Sequence, residues 1–88
     1  NQVLADYGFG RIIDMVGHGI GRDVHEPPIL APYDDLTLEP GMVFAVEPWI
    51  YDLEGIGVFA VEEMVAITED GIDMLSTLPR DEIWSTGA

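Results

Sequence analysis

Three features of this sequence predict an α+β fold built on an antiparallel sheet: a helical opening closed by glycine, two apolar runs rich in β-branched residues, and short turns between runs. The opening "NQVLADYGFG" reads as the tail of a helix ended by Gly8 or Gly10. "RIIDMVGHGIG" mixes β-branched residues with glycines at 17, 19 and 21, a pattern poor for helix and typical of bent strand or loop, where backbone passes close to a neighbour. "EPPILAPYDDLTLEPG" (26–41) carries four prolines and the pair Asp34–Asp35, which predicts a connecting loop with solvated aspartates, ending in a Pro-Gly turn. Strands are predicted over 42–51, 58–68 and 72–76, joined by "DLEGIG" (52–57) and "EDG" (69–71). Short connections between successive strands imply antiparallel pairing.

With 88 residues the chain makes one domain at most, and a chain of this size buries only about 60–65% of its unfolded surface. A hydrophobic fraction of 48% and a mean hydropathy of +0.20 still place it among folding sequences. Seventeen acidic residues against Arg11, Arg22 and Arg80 give a net charge of −14, which repels phosphate backbones and anionic lipid, so neither nucleic acid nor membrane is an expected partner. No cysteine is present, so any metal must be held by His and carboxylate. No apolar run reaches the roughly 18–20 residues of a membrane span and no signal-like start is seen. A cytoplasmic location is expected. Because the chain starts at Asn1 in mid-element, it is expected to be the C-terminal piece of something longer.

The two central strands are nearly continuous apolar runs, which implies burial on both faces, yet each carries carboxylates. The text Val-Phe-Ala-Val-Glu occurs twice, ending at Glu47 and at Glu62, and Glu63 follows the second. An ionised carboxylate in apolar surroundings costs several kcal/mol unless paired. Three arginines cannot neutralise many such groups, whereas a cation not encoded in the sequence would. Glu62 and Glu63 face opposite sides of their strand, and spacing alone does not choose between them. Both histidines of the chain, His18 and His25, lie in "VGHGIGRDVHEPP" (16–28). His18 with Glu47 and a further glutamate offers the mixed N/O donor set that suits Mn, Fe, Co or Zn better than Ca or Mg. The plainer alternatives are a turn histidine, a solvated strand-end Glu47, and an acidic edge pair at 62–63 that blocks aggregation. Trp49 and Tyr51 either shape a pocket or pack at the surface.

"GHGIGRDVHEPP", "LEPGMVFAVEPWIY" and "VEEMVAITEDGIDMLS", in this order, resemble the C-terminal half of the pita-bread metallopeptidases, the methionine aminopeptidases, Xaa-Pro aminopeptidases and prolidases; the resemblance runs from about residue 9 to 84. The ending "LSTLPRDEIW" resembles the Xaa-Pro branch most. The resemblance implies a curved antiparallel sheet with helices on its outer face, and a partial catalytic domain over 1–88 whose N-terminal half lies elsewhere. It makes His18, Glu47 and Glu62 metal ligands, with Glu62 rather than Glu63 bridging two divalent ions, Mn or Co first and Zn or Fe next. His25 becomes a substrate-side group that stabilises the tetrahedral intermediate, and Glu47 also a proton acceptor.

The implied reaction is hydrolysis of the N-terminal peptide bond of a peptide or dipeptide, next to proline. Two cations would lower the pKa of a bridging water and polarise the scissile carbonyl. The absent half would supply further ligands, the 88 residues alone would be inactive, and a homodimer is an expected assembly. Two departures bear on substrate: Asp14 stands where Xaa-Pro peptidases commonly have His, and Ala60 where many have Arg. A metal-free creatinase-like C-N hydrolase and a non-catalytic peptidase-like binding domain are the competing readings.

Overall fold

The computed structural model describes residues 1–12, 14–51, 55 and 57–87. One short helix, α1 (Gln2–Asp6), precedes seven strands: β1 (Gly17–Ile20), β2 (Glu26–Ile29), β3 (Val43–Val46), β4 (Trp49–Ile50), β5 (Phe59–Ala60), β6 (Glu63–Ile67) and β7 (Ile72–Met74). Five of them form a sheet in the order β2-β1-β3-β6-β7, and β4 pairs with β5 in a separate two-stranded ribbon. Every pairing is antiparallel, as the short turns require. Gly8, at φ +82°, ends α1 with its N–H on the Ala5 carbonyl, the left-handed residue that glycine adopts without steric cost. No helix among the described residues is long and apolar enough to cross a membrane.

Three expectations change. Residues 26–29 are a strand, not loop: β2 is the outer strand of the sheet, where proline, lacking an N–H, is tolerated. The peptide between Pro27 and Pro28 is cis, and both prolines sit in an irregularity where the β1–β2 register jumps from His18↔Ile29 to Gly19↔Glu26. Ladder bonds are kept on one side by Leu30 N–H to the Gly17 carbonyl (2.9 Å) and Val16 N–H to the Leu30 carbonyl (2.8 Å). Asp34 does more than solvate a loop, because its two carboxylate oxygens accept from the Ile29 (2.7 Å) and Leu36 (2.9 Å) N–H groups. These bonds hold its carboxyl below the usual carboxylate range, the Leu36 bond contributing most.

The predicted strands 42–51 and 58–68 are each broken, at 47–48 and at 61–62, so that each falls into a piece in the main sheet and a piece in the ribbon. Pro48, with no N–H to donate, stands at the first break. Most of the 52–57 connection lies outside the described residues, while the turns at Gly41 (φ +94°) and at 69–71, closed by Thr68 N–H to the Gly71 carbonyl, form as expected.

Of the two apolar runs expected to be buried on both faces, β3 is so buried and 58–68 is not: on β3, which runs between β1 and β6, Phe44 and Ala45 are successive residues on opposite faces and both are buried. On β6, Val65 is buried against Phe44 while Met64 is partly exposed. The glycines of β1 explain how the strand fits between its neighbours. A methyl group at Gly19 would lie 2.6 Å from the Glu26 carbonyl oxygen and 2.8 Å from that of Pro27, and one at Gly17 would collide with the Ala45 carbonyl. Close backbone approach at this motif is therefore to the adjoining strands.

Candidate metal centre

The register of the sheet determines which side chains meet. His18, Ala45 and Met64 stand in one row across β1, β3 and β6. Side chains alternate along a strand, so residues two positions from this row share its face. Glu47 lies two beyond Ala45 and Glu62 two before Met64, and because the strands are antiparallel both steps go the same way. The three side chains thus converge at one end of one face. One ligand-type atom from each of His18, Glu47 and Glu62 lies within 4.8 Å of the others. Both carboxylates sit where their strands break, so their backbones leave the ladder just as their side chains reach the cluster. Ala45, fully buried, offers only a methyl group beneath His18.

His18 is 2% exposed. Its Nδ1 lies 3.1 Å from the Gly19 carbonyl oxygen, which can only accept, so Nδ1 carries a proton. Nε2 then faces Glu47 Oε2 at 3.2 Å. The His25 ring, carried by the exposed bend between β1 and β2, rests against His18 with centroids 4.0 Å apart and planes tilted by 47°.

Electrostatics separate the two glutamates. Burial works against the Glu47 carboxylate, but hydrogen bonds to Glu62 and His18, the His18 charge and the Trp49 side chain together hold its pKa below the ordinary value. Glu62 is pushed the other way by its hydrogen bond to Glu47, by burial and by the Glu47 charge. The opposite directions show two neighbouring carboxylates of which Glu62 takes up a proton the more readily. A buried imidazole nitrogen and two neighbouring carboxylates form a donor set that a divalent cation would satisfy, and the Nδ1–H bond to a backbone carbonyl is the usual outer support of a metal-binding histidine. The residues present fit a metal.

Glu63 takes no part. It faces the opposite side of the sheet, where Arg80 Nε donates to its Oε1 at 2.7 Å, and this bond, against a smaller effect of burial, holds its pKa below the ordinary value. Trp49 and Tyr51 are exposed and stack with centroids 6.2 Å apart. With Ile12, Asp14, Met15 and Glu47 they line a hollow of about 260 Å³ beside the cluster. Ala60 pairs with Trp49 in the ribbon. Sequence reasoning overlooked Arg80 as a structural partner and Asp34 as a backbone acceptor. The scarcity of arginine was the available signal for the first; nothing local marked the second.

A His and two carboxylates brought to one point beside three adjacent antiparallel strands form a donor set of the kind that metal-binding domains use. The chain belongs to metallopeptidase family M24, whose sequence profile matches residues 1–69. It is 37% identical over 81 residues to the Xaa-Pro dipeptidase of Pyrococcus furiosus, covering 91% of this chain and 23% of that protein. Among solved structures it is similar to the Xaa-Pro dipeptidase from Bacillus anthracis (TM-score 0.81, 37% identity, 93% of this chain and 23% of that one). It is also similar to the methionine aminopeptidase from Rickettsia prowazekii (TM-score 0.63, 29% identity, 83% and 38%). The chain therefore spans about a quarter of the length of the dipeptidases it matches. The α+β expectation holds, with the pita-bread enzymes as structural neighbours and one short helix among the described residues. Membership of this family implies divalent metal.

Proposed function

We propose that these 88 residues form part of the catalytic domain of a dinuclear metallopeptidase that hydrolyses the N-terminal peptide bond of Xaa-Pro peptides or dipeptides. The observation that carries this reading is the convergence of His18, Glu47 and Glu62 within 4.8 Å on one face of the sheet. The similarity to Xaa-Pro dipeptidases favours proline on the leaving side. His18 through Nε2, Glu47 and Glu62 would hold the ions, Mn or Co before Zn or Fe, with further ligands from chain outside these residues. Bound there, the ions would supply Lewis acidity and make a water more acidic. Glu47, kept ionised by its neighbours, accepts the proton of the attacking water. His25, exposed beside His18, donates a hydrogen bond to the oxyanion of the tetrahedral intermediate. The C–N bond then breaks and the amine leaves with the proton that Glu47 took from the water. Trp49, Tyr51 and Asp14 border the substrate, and the protein acts in the cytoplasm as a homodimer.

Calorimetric titration of Mn²⁺ and Co²⁺ into this chain, beside a His18→Ala, Glu62→Gln double variant, tests the reading. Stoichiometric binding that the variant loses supports it. Absence of binding by both the folded chain and the longer protein overturns it. For the longer protein, Xaa-Pro hydrolysis should be abolished by chelation and restored by Mn²⁺ or Co²⁺.

A further inference from the structure

Glu62 and Glu63 are chemically identical neighbours, yet only one reaches the cluster. The ladder between β3 and β6 ends at Val46↔Glu63, so Glu62 has no ladder pairing of its own. It lies in the two-residue passage, 61–62, between the ribbon strand β5 and the sheet strand β6. Rotation about that passage would turn the Glu62 carboxylate away from the cluster. The segment after β7 opposes such rotation with three ties. Leu75 N–H donates to the Met64 carbonyl (2.8 Å), Met64 N–H donates to Ser76 Oγ (2.8 Å), and Arg80 Nε donates to Glu63 Oε1 (2.7 Å).

The last tie acts most strongly on a glutamate side chain, with a smaller pull from Ser76 on the same Glu63 carboxylate. Glu63 is 14% exposed in its side chain, and its Oε2 is buried without a well-formed hydrogen bond. Arg80 is its only ion-pair partner among the described residues. A carboxylate so placed, next to the face that carries Phe44 and Val65, would turn toward water if its counter-charge were lost, because a partly buried unpaired charge is costly.

We propose that Arg80 is a positioning residue for the metal centre: by holding Glu63 on the back of the sheet, it fixes the 62–63 backbone so that Glu62 points at Glu47 and His18. The inference rests on the reading of Glu62 as a ligand for its functional meaning, but the orientation it predicts exists without metal. Arg80 touches neither substrate nor ion and acts through Glu63.

The test uses the 88-residue chain in two measurements. The first is the NMR cross-relaxation between the His18 ring and the Glu62 side chain, recorded with chelator. The second is Co²⁺ affinity by calorimetry. Arg80→Ala is expected to lose the His18–Glu62 contact and to weaken Co²⁺ binding roughly tenfold, in the range found for outer-shell partners of metal ligands. Arg80→Lys, which restores a cation, should recover the contact in large part. A merely structural role would lower the melting temperature of Arg80→Ala while leaving the contact intact in the folded protein.

Retention of the contact in folded Arg80→Ala overturns the proposal, as does its absence from the parent chain. If Arg80→Ala does not fold, the Glu63→Gln, Arg80→Gln pair replaces it. The neutral pair should keep the contact because no charge drives residue 63 to solvent, and its loss there overturns the proposal. A parent chain that shows the contact but binds no Co²⁺ counts against the ligand reading and leaves the positioning role standing.

Discussion

His18 Nε2 lies 3.2 Å from Glu47 Oε2 while the other ring nitrogen is bound to the Gly19 carbonyl oxygen. The imidazole is thereby held between two acceptors. A neutral ring satisfies only the Gly19 side and leaves a lone pair facing a carboxylate. That arrangement is favourable when the ring is doubly protonated or when a cation stands between nitrogen and oxygen.

Glu47→Gln separates those possibilities. An amide N–H₂ at residue 47 can donate to Nε2 and removes one of two neighbouring charges, so the metal-free variant should be at least as resistant to urea as the parent. Its affinity for Co²⁺ should fall by more than about 100-fold, beyond the 10–100-fold typical of outer-shell changes. Urea titration with chelator and calorimetry without it check the two halves, and equal affinity for parent and variant would remove Glu47 from the ligand set.

Gly19 should be intolerant of even a methyl group. The added carbon would meet the carbonyl oxygens of Glu26 and Pro27 at 2.6 and 2.8 Å, and these are backbone atoms that cannot swing aside. Gly19→Ala is expected to cost about 1–3 kcal/mol, the usual range for overpacking. Gly10→Ala, with nothing within 4 Å of the new carbon, should stay within about 0.5 kcal/mol of the parent. Parallel urea unfolding curves measure both.

The same glycines show how far the sequence could be read. Their spacing announced close backbone approach, and the sheet confirms it, but which neighbours approach depended on a strand at 26–29 that the prolines disguised as loop. An outer strand can dispense with donors, so proline content was a poor guide there. The repeated Val-Phe-Ala-Val-Glu text picked out Glu47 and Glu62 because carboxylates in apolar runs need an explanation local to themselves. Choosing Glu62 over Glu63 by physics required Arg80, seventeen residues away from Glu63 in the chain. Asp34, whose two oxygens bind backbone N–H groups on either side of it, looked like any acidic loop residue because its role is defined by the path of the chain.

Asp34 predicts an acid-sensitive contribution to stability. Its folded pKa lies below the ordinary aspartate value, held there by the Leu36 and Ile29 N–H bonds, so the unfolded chain binds the proton more readily. The stabilisation is fully present above about pH 4–5 and is lost as pH falls through the lower, folded value. Asp34→Ala should therefore unfold at lower urea than the parent at pH 6, and the gap should narrow toward pH 2–3. A gap independent of pH would mean that the two N–H bonds are worth as much with a neutral carboxyl.

Glu62 carries the opposite sign. Its pKa is raised, first by the hydrogen bond to Glu47 and then by burial, so the folded, metal-free chain binds the Glu62 proton more readily than the unfolded chain does. At neutral pH the site must either hold that proton or bear two neighbouring anions. The relative advantage of the folded state is present below the unfolded value near 4.5 and is lost as pH rises through the higher folded value. Glu62→Gln supplies a permanent donor to Glu47 and removes one charge from a chain of net charge −14. With chelator present, the variant should be more stable than the parent at pH 7, and the two should converge below about pH 4, where Glu62 is protonated in both states. Added Mn²⁺ or Co²⁺ should reverse the order by stabilising the parent alone, since a ligand that binds only the folded state shifts unfolding by mass action. Thermal unfolding at the two pH values, with chelator and then with metal, reads all of these signs. A parent more stable than Glu62→Gln at pH 7 under chelator would mean that the two carboxylates are not competing for one proton.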